Sequence, residues 1–298
     1  RVPVNLFAAV HYLLLADPSE PLARFYPNLT GGRTATGDPV PEFLAFCADH
    51  SAEVRELVAT RLPQTNEVGR ASVLVAALGE LPRGPRAHLD IGASAGLNLM
   101  LDRLAYSDGH GVLGGSDLVL ECTVRPEGRR LAGELPVITS RLGLDANPLD
   151  LTDPDDARWL EACVWPDQAD RFVRLQRAIE LFVADPAPLR RGDAVADLRS
   201  AVAALGPGIP VATTTWMLCY LDAGAQREFA AVLAGIGAER DLDWVWAESP
   251  SVVEVLPVPD ALVGSDATLL GYSSWRNGRR TDRVLAQCHP HGYWLTWL

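Results

Sequence analysis

The chain has 298 residues, of which 48% are hydrophobic, and this composition suffices for a full core in one large domain or a domain with an added lobe. Its formal net charge of −12 argues against a nucleic-acid partner, because binding a phosphate backbone requires a basic face. All 26 basic residues are arginine, which excludes a P-loop lysine, a Schiff-base lysine and a Ser-Lys dyad.

The five cysteines are scattered and form no Cys-x-x-Cys pair, so neither a disulfide framework nor a cysteine-rich zinc site is expected. No apolar run reaches the length of a transmembrane helix, and we expect no signal peptide at the start of the chain. Although the chain starts at Arg1 rather than Met, the composition predicts a cytoplasmic protein with no membrane partner.

Residues 1–85 predict an N-terminal helical cap without strands. One apolar stripe contains Leu6, Val10, Leu13 and Leu14, and residues 43–58 indicate one or two further helices. A last helix is expected over residues 68–78, and a loop rich in Gly, Pro and Thr separates the first helix from the others.

From residue 86 onward, strand-like runs alternate with helical ones, which predicts an α/β fold over residues 86–298. The expected buried strands are 87–91, 137–145, 209–215 and 242–247, with helices at 155–183 and 225–236. Such alternation is typical of a Rossmann-like, doubly wound and mostly parallel sheet.

Two hairpins are expected to interrupt this alternation. Asn277-Gly278 is a strong hairpin turn, and it predicts an antiparallel hairpin at one edge of the sheet near the C-terminus. An inserted hairpin is expected at residues 117–135, and residues 293–298 indicate a last strand.

Residues 87–99 (AHLDIGASAGLNL) indicate a strand, a loop of small residues and then a helix. Gly92 and Gly96 permit a sharp turn, so that backbone comes close to a ligand at the helix N-terminus. Two chemistries start from such a segment. One is binding of a nucleotide-like cofactor, and the other is a serine hydrolase, because Gly92-x-Ser94-x-Gly96 also matches a nucleophile elbow.

Acidic residues stand at the ends of three successive predicted strands. They are Asp90, Asp145 and Asp193, and ligands of open parallel sheets lie beyond these strand ends. A carboxylate at the end of the second strand can accept both hydroxyls of a ribose, and one after the third can accept an amino group such as that of adenine.

This order of parts resembles that of a class I S-adenosylmethionine-dependent methyltransferase. More closely, the whole chain is similar to an uncharacterised bacterial domain-of-unknown-function family, of the 2332 type, with a methyltransferase-like core. The motifs that carry this similarity are QTNEVGR at 64–70, the Asp90 loop, LDANPLD at 144–150, RGDA at 191–194 and HPHG at 289–292.

The resemblance implies that the cofactor is S-adenosylmethionine and that the acceptor is a small molecule. Asp145 would hold the ribose, Asp193 would lie near the adenine, and Asn66 or Arg70 would hold the methionine carboxylate. The remaining cofactor-binding residues that it implies are Asp90, Gly92, Ala93, Ser94, Gly96, Ala146, Ala194 and Thr215. No Asn-Pro-Pro-Tyr-like motif follows the strand at 209–215, which disfavours methylation of nucleobase or glutamine amino groups.

A base is needed only if the acceptor must lose a proton, and His289, His291 and Asp193 are the candidates. The two histidines alternatively form a hydrogen-bonded structural pair, and no matched third ligand indicates a metal. Other functions stay open. A hydrolase would use Ser94 with Asp222 or Asp243 and one of the histidines, and a degenerate fold would bind a nucleoside or a partner without catalysis.

Overall fold

Helices build one unit of the protein, and a large sheet builds the other. The structure is a computed structural model and describes residues 2–298. One unit consists of the chain up to Asn66 together with Leu149–Asp185, and the other consists of Glu67–Pro148 together with Pro186–Leu298. The two units are therefore interleaved along the sequence.

The first unit has a core of helices that bury one apolar stripe each. The α-helices of the described residues are α1 (Val2–Ala16), α2 (Val40–Asp49), α3 (Ser51–Thr60), α4 (Arg70–Gly79), α5 (Pro154–Ala162), α6 (Ala169–Ala184), α7 (Leu198–Ala203) and α8 (Ala223–Glu239). Of these, α4, α7 and α8 belong to the second unit. Val10 and Leu14 of the predicted stripe are fully buried, and they share a cluster with Leu22, Phe46 and Val54. Full burial of such side chains contributes about 1.5–3 kcal/mol each.

The long helix expected over residues 155–183 is wrong, because the structure has α5 and α6 with a break between them. The break contains Pro166, which has no N–H for a helical hydrogen bond. At its start, α5 has Pro154 in the first turn, and the Asp153 carboxylate accepts the N–H of Asp155 at 2.9 Å.

All the strands of the described residues lie in the second unit. They are β1 (Arg86–Ile91), β2 (Ala105–Ser107), β3 (Val112–Leu113), β4 (Val119–Glu121), β5 (Thr123–Arg125), β6 (Ile138–Asp145), β7 (Leu189–Arg191), β8 (Ile209–Thr215), β9 (Leu242–Glu248), β10 (Thr268–Arg276), β11 (Arg279–Cys288) and β12 (Trp294–Trp297). The predicted strands correspond to β1, β6, β8, β9 and β12, and the expected helix at 225–236 lies within α8.

The main sheet has nine strands in the order β5-β12-β11-β10-β9-β8-β1-β6-β7. From β7 to β9 all neighbours are parallel, whereas β9, β10, β11 and β12 are antiparallel in turn. This confirms a mixed α/β architecture with a large, mostly parallel sheet. Asp90 of β1 stands opposite Gly143 on one side and Thr213 on the other.

The central strands of the sheet are buried on both faces. Every residue of β1 and β9 is buried, as is typical of parallel strands that carry helices on both faces. Phe229 of α8 packs edge-on against Trp244 of β9, with ring centroids 5.7 Å apart, inside a core cluster of the sheet.

The helix expected after the glycine loop is wrong, since only a 3-10 turn, Leu97–Met100, follows. Side chains donate hydrogen bonds to the carbonyl groups that a longer helix would pair with its own N–H groups. Arg141 donates to the Leu99 carbonyl at 3.0 Å, and the Tyr106 hydroxyl donates to the Leu101 carbonyl at 2.5 Å. The chain then turns directly into β2.

The inserted hairpin at 117–135 is also wrong in form. β4 pairs in parallel with β2, which in turn pairs with β3, so a small three-stranded sheet that begins at Ala105 replaces the hairpin. The hairpin of β10 and β11 does turn at Asn277-Gly278, but it is not the edge of the sheet. The edge is instead β5, because β12 pairs with β11 and β5 pairs with β12.

Within residues 2–298, no helix combines the length and the apolar character that crossing a membrane requires.

Candidate functional site

The carboxyl ends of the parallel strands meet at one edge of the sheet. From β1 the chain passes to β6 on one side, and only later to β8 on the other side of β1. The crevice at such a reversal is the usual ligand site of open α/β sheets. The predicted glycine loop, residues 92–96, follows β1 at this position.

The glycine loop has a left-handed backbone at three positions. φ is +75° at Gly92, +53° at Ser94 and +82° at Gly96. A Cβ on Gly92 would lie 2.3 Å from Cγ of Met217, the second residue after β8. Only glycine therefore lets this loop pack against the end of the neighbouring strand.

Asp145 binds the glycine loop from the end of β6. Its Oδ2 accepts the N–H of Ser94 at 2.8 Å, and its Oδ1 accepts the N–H of Asn147 at 2.7 Å. The side chain is half-buried. The structure thus brings together two parts that the sequence predicted as one site, and it adds an anchoring role for the carboxylate.

Asp90 lies beneath the loop and is 1% exposed. Its Oδ1 accepts the Thr213 hydroxyl at 2.8 Å, and Thr213 in turn accepts Nε2–H of His88 at 2.9 Å, since a hydroxyl has one proton to donate. Burial raises the pKa of Asp90 to about 7, against the lowering effect of Thr213. Asp90 therefore links β1 to β8 inside the sheet.

Asp193 follows β7 and is exposed. Its Oδ1 accepts the N–H groups of Val195 and Ala196, both at 2.8 Å, so the carboxylate closes the turn before α7. Ala194 within that turn packs against the main core cluster.

The loop after β6 is tied to the end of β7. Arg191 donates from Nη1 to the carbonyl of Ala146 and to Oδ1 of Asn147, each at 3.0 Å. The predicted residues Ala146 and Asp193 thus belong to neighbouring strand ends, which lie side by side in the sheet.

Arg70 connects three segments at the carboxyl edge. From the first turn of α4, Nη1 donates to the Thr215 carbonyl at the end of β8 at 3.0 Å, and Nε donates to the Pro290 carbonyl at 2.9 Å. Arg70 is 9% exposed, so these bonds form in a largely dry environment. Asn66, which was predicted beside it, belongs to the first unit.

The HPHG turn, residues 289–292, packs backbone to backbone on the start of α4. A Cβ on Gly292 would lie 1.9 Å from the Gly69 carbonyl oxygen, and a Cβ on Gly69 would lie 2.3 Å from that of His291. The QTNEVGR and HPHG motifs are far apart in sequence, and the two glycines explain how they come into contact.

Within the same turn, Nδ1 of His289 accepts the N–H of His291 at 3.0 Å, and the His289 ring stacks on Tyr293 with centroids 4.6 Å apart. Burial lowers the pKa of His289, although the Glu67 carboxylate raises it. Since Nδ1 accepts the N–H of His291, the proton of the neutral imidazole lies on Nε2.

Sequence reasoning missed Glu248, which ends β9 and is fully buried. Its Oε1 accepts the N–H groups of Met217 and Leu218 at 3.0 and 3.2 Å, so it shapes the segment that contacts Gly92. Burial raises its pKa to about 7. The signal was available, because Glu248 is a further acid at the end of a predicted strand.

No group of three or more His, Cys, Asp or Glu residues in the described part of the chain could hold a metal ion. The polar groups at this edge are backbone N–H donors, carboxylate acceptors and imidazoles. Groups of these kinds can form hydrogen bonds with hydroxyl and amino groups.

Residues 1–297 match the family DUF2332, which is described as an uncharacterized protein conserved in bacteria. The chain matches no curated protein and no solved structure. Since the match extends over almost the whole sequence, the chain belongs to the DUF2332 family.

Proposed function

We propose that the protein is an S-adenosylmethionine-dependent methyltransferase that acts on a small-molecule acceptor. The observation that carries this proposal is the 2.8 Å hydrogen bond from Ser94 N–H to Oδ2 of Asp145. It joins the acid after the second parallel strand to the glycine loop after the first. An acid in this position can accept ribose hydroxyls, and each carboxylate oxygen of Asp145 keeps a second lone pair for that purpose.

The order of the parallel strands supports the proposal. Numbered along the chain, β7-β6-β1-β8-β9 reads 3-2-1-4-5, which is the order of doubly wound nucleotide-binding sheets. In those sheets the ligand lies across the reversal point beside the first strand, where the glycine loop is found here.

The chemistry of the loop favours S-adenosylmethionine over a dinucleotide. Ser94 occupies the middle position, where a pyrophosphate requires the closest approach of backbone. S-adenosylmethionine has no phosphate and carries a cationic sulfonium, which suits a site with Asp145 and no basic residue on residues 92–96. When bound, it supplies an electrophilic methyl group.

The residues of the chain would position the reactants and exclude water. Because Nδ1 of His289 accepts the N–H of His291, its Nε2–H is a hydrogen-bond donor and suits it to orient an acceptor oxygen. His291 and Asp193 then stay the candidates for removing a proton from the acceptor.

The serine hydrolase alternative has one observation in its favour, the φ of +53° at Ser94, since a nucleophile elbow is a strained turn. Two observations weigh against it. Ser94 is 4% exposed, and a four-residue 3-10 turn follows it where an elbow has a helix. A fluorophosphonate probe, which reacts with activated serines, tests this alternative. Labelling of the wild type but not of Ser94→Ala would support a hydrolase.

Calorimetric titration with S-adenosylhomocysteine tests the proposal. We expect micromolar binding to the wild type and a loss of at least about tenfold in Asp145→Ala, because two hydrogen bonds to a carboxylate are removed. Asp266→Ala, at an exposed aspartate of the same unit, is the matched control and should bind normally. Failure of the wild type to bind would contradict the proposal.

Asp145 also anchors the glycine loop, so a folding defect must be separated from a binding defect. Asp145→Asn keeps one oxygen that accepts a backbone N–H while its NH2 group faces the other, so its melting temperature should fall less than that of Asp145→Ala. Its affinity should still fall. If a well-folded Asp145→Asn binds S-adenosylhomocysteine like the wild type, Asp145 does not hold the ribose. Binding without turnover of any acceptor would favour the non-catalytic alternative.

A further inference from the structure

The first unit contains a cavity of about 510 Å³ that none of the motifs predicted. α1, the 3-10 turn Pro21–Phe25, the start of α2 and residues 162–166 surround it. Its volume lies within the range of about 300–1,000 Å³ that is usual for small-molecule sites.

None of the described residues that line the cavity has a charged side chain. His11 lies in the wall, and burial lowers its pKa to about 4, so the ring is neutral. Both of its nitrogens are already paired, Nδ1 with the Ala162 carbonyl at 3.1 Å and Nε2 with the Asn28 amide at 2.9 Å. A ligand in the cavity would therefore contact mainly carbon atoms of the wall. A charged ligand group would lose its hydration there without gaining a charged partner, which costs free energy.

Tyr26 also lines the cavity, and it differs from His11. Tyr26 is 8% exposed as a residue, and its hydroxyl makes no hydrogen bond to any residue that the structure describes. The hydroxyl oxygen is not itself fully buried, so it is accessible to a ligand or to solvent. The Tyr26 hydroxyl is thus a polar group in an apolar wall that a ligand could satisfy.

Exposed aromatic and aliphatic side chains surround the mouth of the cavity. Phe7 is 43% exposed, and its ring centroid lies 5.5 Å from that of Phe43 and 6.0 Å from that of Trp165. Val4 and Val40 beside them are also exposed. Apolar surface at the rim of a concave site is a feature of ligand-binding clefts.

We propose that this cavity binds an uncharged apolar small molecule, an alkyl chain or ring system with one oxygen or nitrogen that pairs with the Tyr26 hydroxyl. A small molecule fits better than a protein segment because the apolar residues line a cavity and not a flat face. In addition, the Tyr26 hydroxyl can form a hydrogen bond with a ligand. The proposal does not depend on the methyltransferase function.

Fluorescence titration with N-phenyl-1-naphthylamine, a neutral apolar probe with one N–H group, tests the proposal. We expect saturable binding of one probe per chain with a blue-shifted emission. Phe7→Glu places a charge at the mouth and should weaken binding at least about tenfold. Leu44→Glu is the matched control, because Leu44 is exposed on α2 and does not line the cavity, and it should bind like the wild type.

Tyr26→Phe tests the polar contact separately. Loss of one hydrogen bond should weaken probe binding about three- to tenfold. Tyr220→Phe, at an exposed tyrosine of the other unit, should leave it unchanged. Circular dichroism of each variant shows whether the helices are intact.

Three outcomes would overturn the proposal. Binding that does not saturate, or equal affinities of Phe7→Glu and Leu44→Glu, would show that the probe binds elsewhere. Sedimentation that finds a wild-type dimer and a Phe7→Glu monomer would show that a second copy of the chain covers the mouth.

Discussion

Burial sets the protonation of two carboxyl groups at the carboxyl edge of the sheet. The pKa values of Asp90 and Glu248 rise to about 7, well above the 3.8 and 4.5 of the exposed groups. The folded protein therefore binds these protons more tightly than the unfolded chain. For Glu248 the stabilising contribution is complete below pH 4.5 and is lost as the pH rises through about 7.

Glu248→Gln should remove this pH dependence while its amide oxygen still accepts the N–H groups of Met217 and Leu218. Relative to the wild type, the free energy of unfolding of the variant should rise by about 1–3 kcal/mol between pH 5 and pH 8. Urea unfolding at the two pH values measures the difference. Equal differences at both pH values would show that the carboxyl of Glu248 does not titrate in this range.

Gly92→Ala should destabilise the protein by about 1–3 kcal/mol, because its Cβ would clash with Met217 and its φ is positive. Gly115→Ala is the matched control, since a Cβ there meets nothing within 4 Å. The urea midpoints of both variants measure the effect. If the midpoints coincide, the loop has room at Gly92 that the structure does not show.

Residues at strand ends could be predicted one at a time, but their partners could not. Asp145 was found because an acid ended an apolar run. Its bond to Ser94 depends on the register of β6 against β1, which no local pattern encodes. Glu248 was missed for a related reason, as its importance arises only from the segment after β8 that it holds.

At the scale of elements, α4, the end of β8 and the HPHG turn depend on one side chain, Arg70. The backbone carbonyls of Thr215 and Pro290 both accept hydrogen bonds from this charged side chain. An arginine can serve both because its guanidinium presents several N–H groups in a fixed plane.

Arg70→Met should therefore destabilise the protein by about 2–4 kcal/mol and loosen the C-terminal strands. Hydrogen–deuterium exchange should speed up in peptides that cover residues 286–297. Arg227→Met, at an exposed arginine of α8, should have little effect on either measurement. Unchanged exchange in Arg70→Met would mean that Gly69 and Gly292 hold the turn without the arginine.

The sequence predicted the elements whose burial is uniform and failed where tertiary contacts decide. β1, β8 and β9 were found because both faces of these strands are buried. A helix after residue 96 was expected from the spacing of its leucines. In the structure the carbonyls of Leu99 and Leu101 instead accept hydrogen bonds from the side chains of Arg141 and Tyr106. These two side chains are distant in sequence or lie in the following strand, so their effect is invisible to periodicity.

At the scale of the whole molecule, all five cysteines are free thiols. Burial raises the pKa of Cys122 to about 12 and that of Cys163 to about 11, so few thiolates form at neutral pH.

We expect Ellman's reagent at pH 8 to react slowly with the native protein and to find five thiols after denaturation without reductant. Dithiothreitol should leave the melting temperature unchanged. Fewer than five thiols in the denatured chain would reveal a disulfide and contradict the structure.

The central proposal is that the edge of the sheet formed by the glycine loop and Asp145 binds S-adenosylmethionine. A crystal structure of the protein grown with saturating S-adenosylhomocysteine tests it most directly. We expect the ribose hydroxyls within hydrogen-bond distance of the Asp145 carboxylate and the ligand against residues 92–96. Ligand density elsewhere on the chain, or none at saturation, would contradict it.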